Sequence, residues 1–231
     1  MAAPAPADTV LLSASPDDPF DQFAQFVRDG IHHILIGADH VLFLLCLLLP
    51  AVLIPIVTRP GGQPVRPTQP VPRWWQAMPP VLMTVTSFTV AHSITLAVAS
   101  LGWVTLPPRV VEPAIALTIG LAAWDNIRPI FKARRHLFTF LFGLIHGFGF
   151  ASVLSELDLP ASGFAWALLG FNVGVELGQL ILVVPAMAVL LLLRSRPAYA
   201  RWMVPVGSLC AIVLAAGWFV ERVFDLGFMP V

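Results

Sequence analysis

The stretch Gly30-Ile31-His32-His33-Ile34-Leu35-Ile36-Gly37-Ala38-Asp39-His40 runs without a turn signal into Val41-Leu42-Phe43-Leu44-Leu45-Cys46-Leu47-Leu48-Leu49, and its reading decides the fold. Three imidazoles and a carboxylate head a segment apolar enough to cross a bilayer. A charge at the centre of a membrane helix costs at least about 2.5–3.5 kcal/mol on insertion scales, so titratable groups at this density need a partner or a task. The stretch predicts a polar, metal-capable site inside a membrane bundle.

Composition agrees. Hydrophobic residues make up 58% of the chain, charged ones only 11%, and the mean hydropathy is +0.84, values outside the range of soluble domains. The 13 basic and 13 acidic residues cancel, which gives no electrostatic footprint for nucleic acid. Cys46 and Cys210 both fall in apolar spans and read as small core hydrophobes, neither a disulfide framework nor a thiolate site. Residues 1–19 read as a flexible segment that lacks the basic and apolar regions of an intact signal peptide.

Along the chain, Phe20, Phe23, Phe26 and Val27 recur at helical spacing among polar residues, predicting an interfacial amphipathic helix over 20–29. A six-helix transmembrane domain is expected over 30–223, followed by a tail, 224–231. Its spans are about 31–57, 79–101, 110–127, 137–157, 163–193 and 202–223. The first and fifth are long for straight crossings, with Pro50, Pro55 and Pro185 expected to bend or end them. Loops 58–73, 128–136 and 194–201 carry ten Lys and Arg residues, against Arg28, Arg109 and Arg222 on the other side. By the positive-inside rule both termini lie outside the cytoplasm. The fold class expected is therefore all-α, a polytopic bundle in the bacterial inner membrane with lipid as its surroundings.

Within that topology Asp39 and His40 fall roughly 13 Å into the first span at 1.5 Å per residue. His92 lies among the hydroxyls Thr84, Thr86, Ser87, Thr89, Ser93 and Thr95 of the second span. His146 sits mid-helix in the fourth span among Gly143, Gly147 and Gly149, which read as packing glycines. In the fifth span Asn172 and Glu176 are four apart and share a face, with Gln179 following. Glu112 stands near the outer end of the third span. Imidazole with carboxylate suits nickel, cobalt, zinc or iron, whereas Cu(I) favours the sulfur ligands scarce here. In a regular helix His33 and His40 share a face but lie roughly 10 Å apart along the axis. Either the helix opens near Gly37, or the two serve successive positions on a path.

Five ordered motifs are similar to those of the HupE/UreJ family, in its less characterised branch. They are His33-x5-Asp39-His40 with the apolar run after it, Phe88-Thr89-Val90-Ala91-His92-Ser93-Ile94-Thr95-Leu96, Val111-Glu112-x2-Ile115-Ala116, Phe142-Gly143-Leu144-Ile145-His146-Gly147-Phe148-Gly149-Phe150-Ala151 and Phe171-Asn172-Val173-Gly174-Val175-Glu176-Leu177-Gly178-Gln179. The resemblance covers about residues 30–220. It implies a hydrogenase- or urease-associated accessory membrane protein acting as a nickel, or cobalt, permease, with His33, Asp39 and His40 as the first-helix metal motif. It also implies metalloenzyme maturation proteins as partners. The better-studied branch has a second histidine and a glutamate soon after the fourth-span histidine, where this chain reads Gly149, Phe150 and Ala151.

The expected metal set is His33, Asp39, His40, His92, His146 and Glu176, with Glu112, Asn172, Ser87 and Gln179 as accessory candidates. Blander readings stand beside it. His92 alone reads equally as a helix-to-helix hydrogen-bonding group, Glu176 as a structural partner of His146 or His92, and His32 and His136 as solvated bystanders. The expectation is a permease for a divalent metal and not an enzyme. The rivals are an intramembrane zinc hydrolase using His40, His92 and His146 with Asp39 or Glu176 as base, and a metal-sensing or assembly subunit. Gly30-x2-His33 and Gly143-x2-His146 form a faint internal echo.

Overall fold

The computed structural model describes residues 19–54, 69–131, 135–149 and 161–227. Seven α-helices make up the described bundle: α1 Pro19–Ile36, α2 Ala38–Leu48, α3 Met78–Ser100, α4 Pro108–Ile127, α5 Arg135–Phe148, α6 Ala161–Leu193 and α7 Val204–Phe224. Four of the helical segments are long and apolar enough to cross a membrane, and the bent pair α1–α2 makes a fifth if it counts as one span. The fold is all-helical and of membrane type. Of the expected fourth span, 137–157, the part beyond residue 149 lies outside the described residues, as do residues 1–18 and most of the loop 58–73.

Helix α1 runs unbroken through Gly30, and the interruption falls at Gly37, where the axis turns by 69° into α2. Gly37 takes an extended ψ of 95°, yet its neighbours still bridge the break through Gly37 N–H to His33 O and Val41 N–H to Gly37 O, each 3.0 Å. Few backbone groups are therefore left bare at the bend, as an apolar surrounding demands.

Three helix pairings build the bundle: α1 on α6, α3 on α5, and α4 on α7. Glycine sets the closest of them. A methyl carbon placed on Gly174 would lie 2.2 Å from Val27 O, and one on Gly30 the same distance from Phe171 O. Without a hydrophobic drive between helices in lipid, such backbone approach is what makes dispersion and polar contacts sufficient. The register gives direction. Gly170 meets Phe23 and Phe26, Gly174 meets Val27 and Gly30, and Gly178 meets Ile31 and Ile34, so α1 and α6 run parallel. Gly143 meets Phe88 and Ala91 while Gly147 meets His92 and Thr95, so α3 and α5 are parallel too. Helices α4 and α7 are antiparallel, Gly120 facing Ala215 and Glu112 O receiving Arg222 Nη1.

At the end of the bundle where α4 stops and α5 starts, a polar knot joins four helices. Asp125 accepts the backbone N–H groups of Ile130 and Phe131 and pairs with Arg135 at 3.3 Å. Arg135 also donates to Asn126 Oδ1, and Asn126 Nδ2 donates to Cys46 O in α2 and Ser208 Oγ in α7. Tyr199 O–H closes the same end by donating to Leu49 O.

Candidate metal centre

The break at Gly37 brings His33, at the end of α1, and His40, in the first turn of α2, back against one another with ring centroids 4.6 Å apart. His92 of α3 joins them, 6.1 Å from each. One ring nitrogen from each of the three lies within 4.8 Å of the others. His146 of α5 packs on His40 at 5.4 Å. Four imidazoles from four helices thus meet, and Gly147 lets α5 approach the backbone at His92 closely enough for it.

The surroundings are apolar. His40, His92 and His146 are buried, with Phe43 and Phe88 set tilted or edge-on against their rings and Phe171 tilted against His33, at 5.1–6.1 Å. His40 and His92 each bury both ring nitrogens with no hydrogen-bond partner among the described residues. An unpartnered buried polar group costs on the order of 1–3 kcal/mol, so two unpartnered imidazoles side by side are poor structural glue and good ligands in waiting. Metal–nitrogen bonds of about 2.0–2.1 Å place tetrahedral ligand nitrogens about 3.3–3.4 Å apart, so nitrogens that stand within 4.8 Å of one another would draw together around an ion. His146 is more committed, with Nε2 2.9 Å from the hydroxyl of Thr118, whose Oγ1 donates to Ile115 O at 2.7 Å. That hydroxyl orients the ring as outer partners of metal-binding histidines commonly do.

The carboxylates behave differently. Asp39 Oδ2 accepts from Arg222 Nη2 at 2.8 Å, and that guanidinium also donates to Glu112 O and lies over the Trp218 ring. Glu176 Oε1 accepts from Thr86 Oγ1 at 3.4 Å, and among the described residues it is not in the histidine group. Glu112 is exposed. Among the accessory candidates, Asn172 Oδ1 accepts from Ser93 and Gln179 Oε1 from Thr89, ties that join α6 to α3, while Ser87 donates back to Met83 O. His32 is exposed, and His136 lines a cavity of about 460 Å³ with Leu44, Val85, Asp125, Asn126 and Arg135. Leu44 lies one helical turn beyond His40, so this cavity begins just past the aromatic floor of the site.

Two participants escaped the sequence reading. Arg222 looks like an ordinary interfacial charge near the end of the last span. Thr118 is one hydroxyl in an apolar span and gives no periodic signal.

Fold and site together define a polytopic helical membrane protein with a histidine cluster at the junction of its helices. The chain matches the family model described as HupE / UreJ protein over residues 9–222, and it belongs to that family. No curated protein and no solved structure matches it.

Proposed function

We propose that this protein carries a divalent transition-metal ion, nickel first and cobalt next, across the bacterial inner membrane into the cytoplasm. The observation that carries this reading is the triad His33, His40 and His92, with His146 against it, in a chain of the HupE/UreJ family. Neutral imidazoles would replace the ion's water shell stepwise, and Asp39, beside His40, would offset its charge. Glu176 is assigned a supporting place on α6, with delivery to metalloenzyme maturation proteins beyond it. Zinc would fit the same donors.

Six crossings with both termini on one side suit the helix directions, and the excess of Lys and Arg in the opposite loops supports placing that side outside. Counting α1–α2 as one crossing and α5 as another, alternation requires α1 parallel to α6, α3 parallel to α5 and α4 antiparallel to α7, which are the observed registers. The pairings also survive exchange of the two halves, since α1 rests on α6 as α5 rests on α3. Gly30 and Gly143 each make the close contact three residues before a site histidine. Inverted repeats of this kind commonly frame a midplane site in transporters. A hydrolase would need a free carboxylate base near the triad, and Asp39 is held by Arg222 while Glu176 is held by Thr86.

Radiolabelled nickel and cobalt uptake into proteoliposomes, beside metal analysis of the purified protein, tests the reading. Uptake by the intact chain, lost in Asp39→Asn/His40→Ala, is the expected result. A stoichiometric zinc that survives dialysis, with no uptake, would replace permease by enzyme.

A further inference from the structure

The charge balance at the site leaves one group unexplained. Three neutral imidazoles supply donor atoms but no negative charge to a divalent cation, and the adjacent carboxylate, Asp39, is already paired with Arg222 at 2.8 Å. A dipositive ion seated on the triad while that pair stayed closed would be uncompensated in a low-dielectric interior, which is prohibitive. Asp39 also keeps Oδ1 buried with no hydrogen-bond partner among the described residues, so the carboxylate is only half used by the arginine.

Arg222, for its part, has other partners that it keeps without the carboxylate. It belongs to the last turn of α7, donates through its other terminal nitrogen to Glu112 O near the start of α4, and lies 5.7 Å from the Trp218 ring centroid. The carbonyl and the ring are favourable partners for a guanidinium that has lost its carboxylate. Both sit at the end of the bundle opposite the His136 cavity.

We propose that Arg222 is a tethered cation that occupies Asp39 until a divalent metal arrives, and that the metal must displace it to gain the carboxylate. This rests on the metal-site reading above and adds a positioning residue to it. The exchange breaks one ion pair and forms another: with Arg222 displaced, the charge summed over Asp39, its partner cation and the triad goes from zero to +1, whereas an ion seated on the triad beside the closed pair would make it +2. Arg222 then rests on Glu112 O and Trp218, the partners it already has. Recapture of Asp39 by Arg222 helps expel the ion inward, so the arginine lowers affinity and speeds release.

The test measures Ni²⁺ binding by calorimetry on the full-length protein in detergent, and Ni²⁺ uptake in proteoliposomes, for wild type, Arg222→Gln, Arg222→Lys, Asp39→Asn and the double variant Asp39→Asn/Arg222→Gln. Removing a competing cation from a close pair should tighten Ni²⁺ binding by about tenfold or more in Arg222→Gln, with lower maximal uptake. Arg222→Lys, which keeps the charge, should fall between the two and serves alone if the Gln variant does not fold. The double variant should bind as weakly as Asp39→Asn, because the arginine acts only through that carboxylate. A purely structural arginine would instead give weaker or unchanged binding in both Arg222 variants, and that result overturns the proposal while leaving the metal site standing. Absence of Ni²⁺ binding by wild type overturns both.

Discussion

The rings of His33 and His40 stand 4.6 Å apart although seven residues separate them. In an unbroken helix that interval spans roughly 10 Å along the axis. The difference is made by one residue, Gly37, and the 69° turn it permits. The site therefore depends on a backbone event as much as on its ligands.

Gly37→Ala tests that dependence. A methyl carbon at position 37 would fall 2.7 Å from His33 O and 2.7 Å from His40 Nδ1, so the His40 ring must move. Ni²⁺ affinity is expected to drop by about tenfold or more, as when supporting groups of a metal site are displaced. The elution profile in detergent should stay that of wild type. An affinity equal to wild type would show that the bend does not position His40.

The histidines should separate by rank. His92→Ala removes one of three clustered donors, and binding is expected to be lost at the concentrations where wild type saturates. Thr118→Val removes only the hydroxyl 2.9 Å from His146 Nε2, for which about 10–100-fold is the expected loss. Titration of both variants with Co²⁺, followed by its visible absorption, gives the order directly.

Metal should stabilise the folded bundle reversibly. Ligand at a hundredfold excess over its Kd adds about 2.7 kcal/mol, so Ni²⁺ should raise the thermal midpoint and a chelator should return it to the starting value. A midpoint that collapses below that value on chelation would mark the ion as a permanent structural component instead of cargo.

Glycine packing should prove less forgiving than the site. In Gly174→Ala the added methyl meets Val27 O at 2.2 Å and Gly30 Cα at 2.9 Å, which forces α1 and α6 apart. Overpacking of this kind costs typically about 1–3 kcal/mol, and the loss should appear as reduced yield of monodisperse protein before any metal is added.

Much of this was legible in the chain, because hydropathy reports membrane spans directly. The expected spans 79–101, 110–127 and 163–193 differ from α3, α4 and α6 by no more than two residues at each end. The histidines were legible too, since imidazoles in apolar spans have few other uses. Their choice of partners was not. Asp39 looks like a ligand by adjacency to His40, but the residue that holds it, Arg222, lies near the far end of the chain, and no local spacing links the two. Glu176 shares a face with Asn172 on α6, yet which neighbour that face meets depends on the rotation of α6 against α3, set by packing with no local sequence code. The bend was readable only as one of two options, because glycine permits a break without requiring one.

The pairing of α1 with α6 has a consequence for how the protein is made. Gly30 rests on backbone that the ribosome delivers five helices later, so the first segment to reach the bilayer spends most of synthesis without its neighbour. A chain released after α5 would carry a bare glycine seam and a His33 ring without its Phe171 neighbour. Insertion of α6 covers both at once, which ties the enclosure of the histidine cluster to a late step of synthesis.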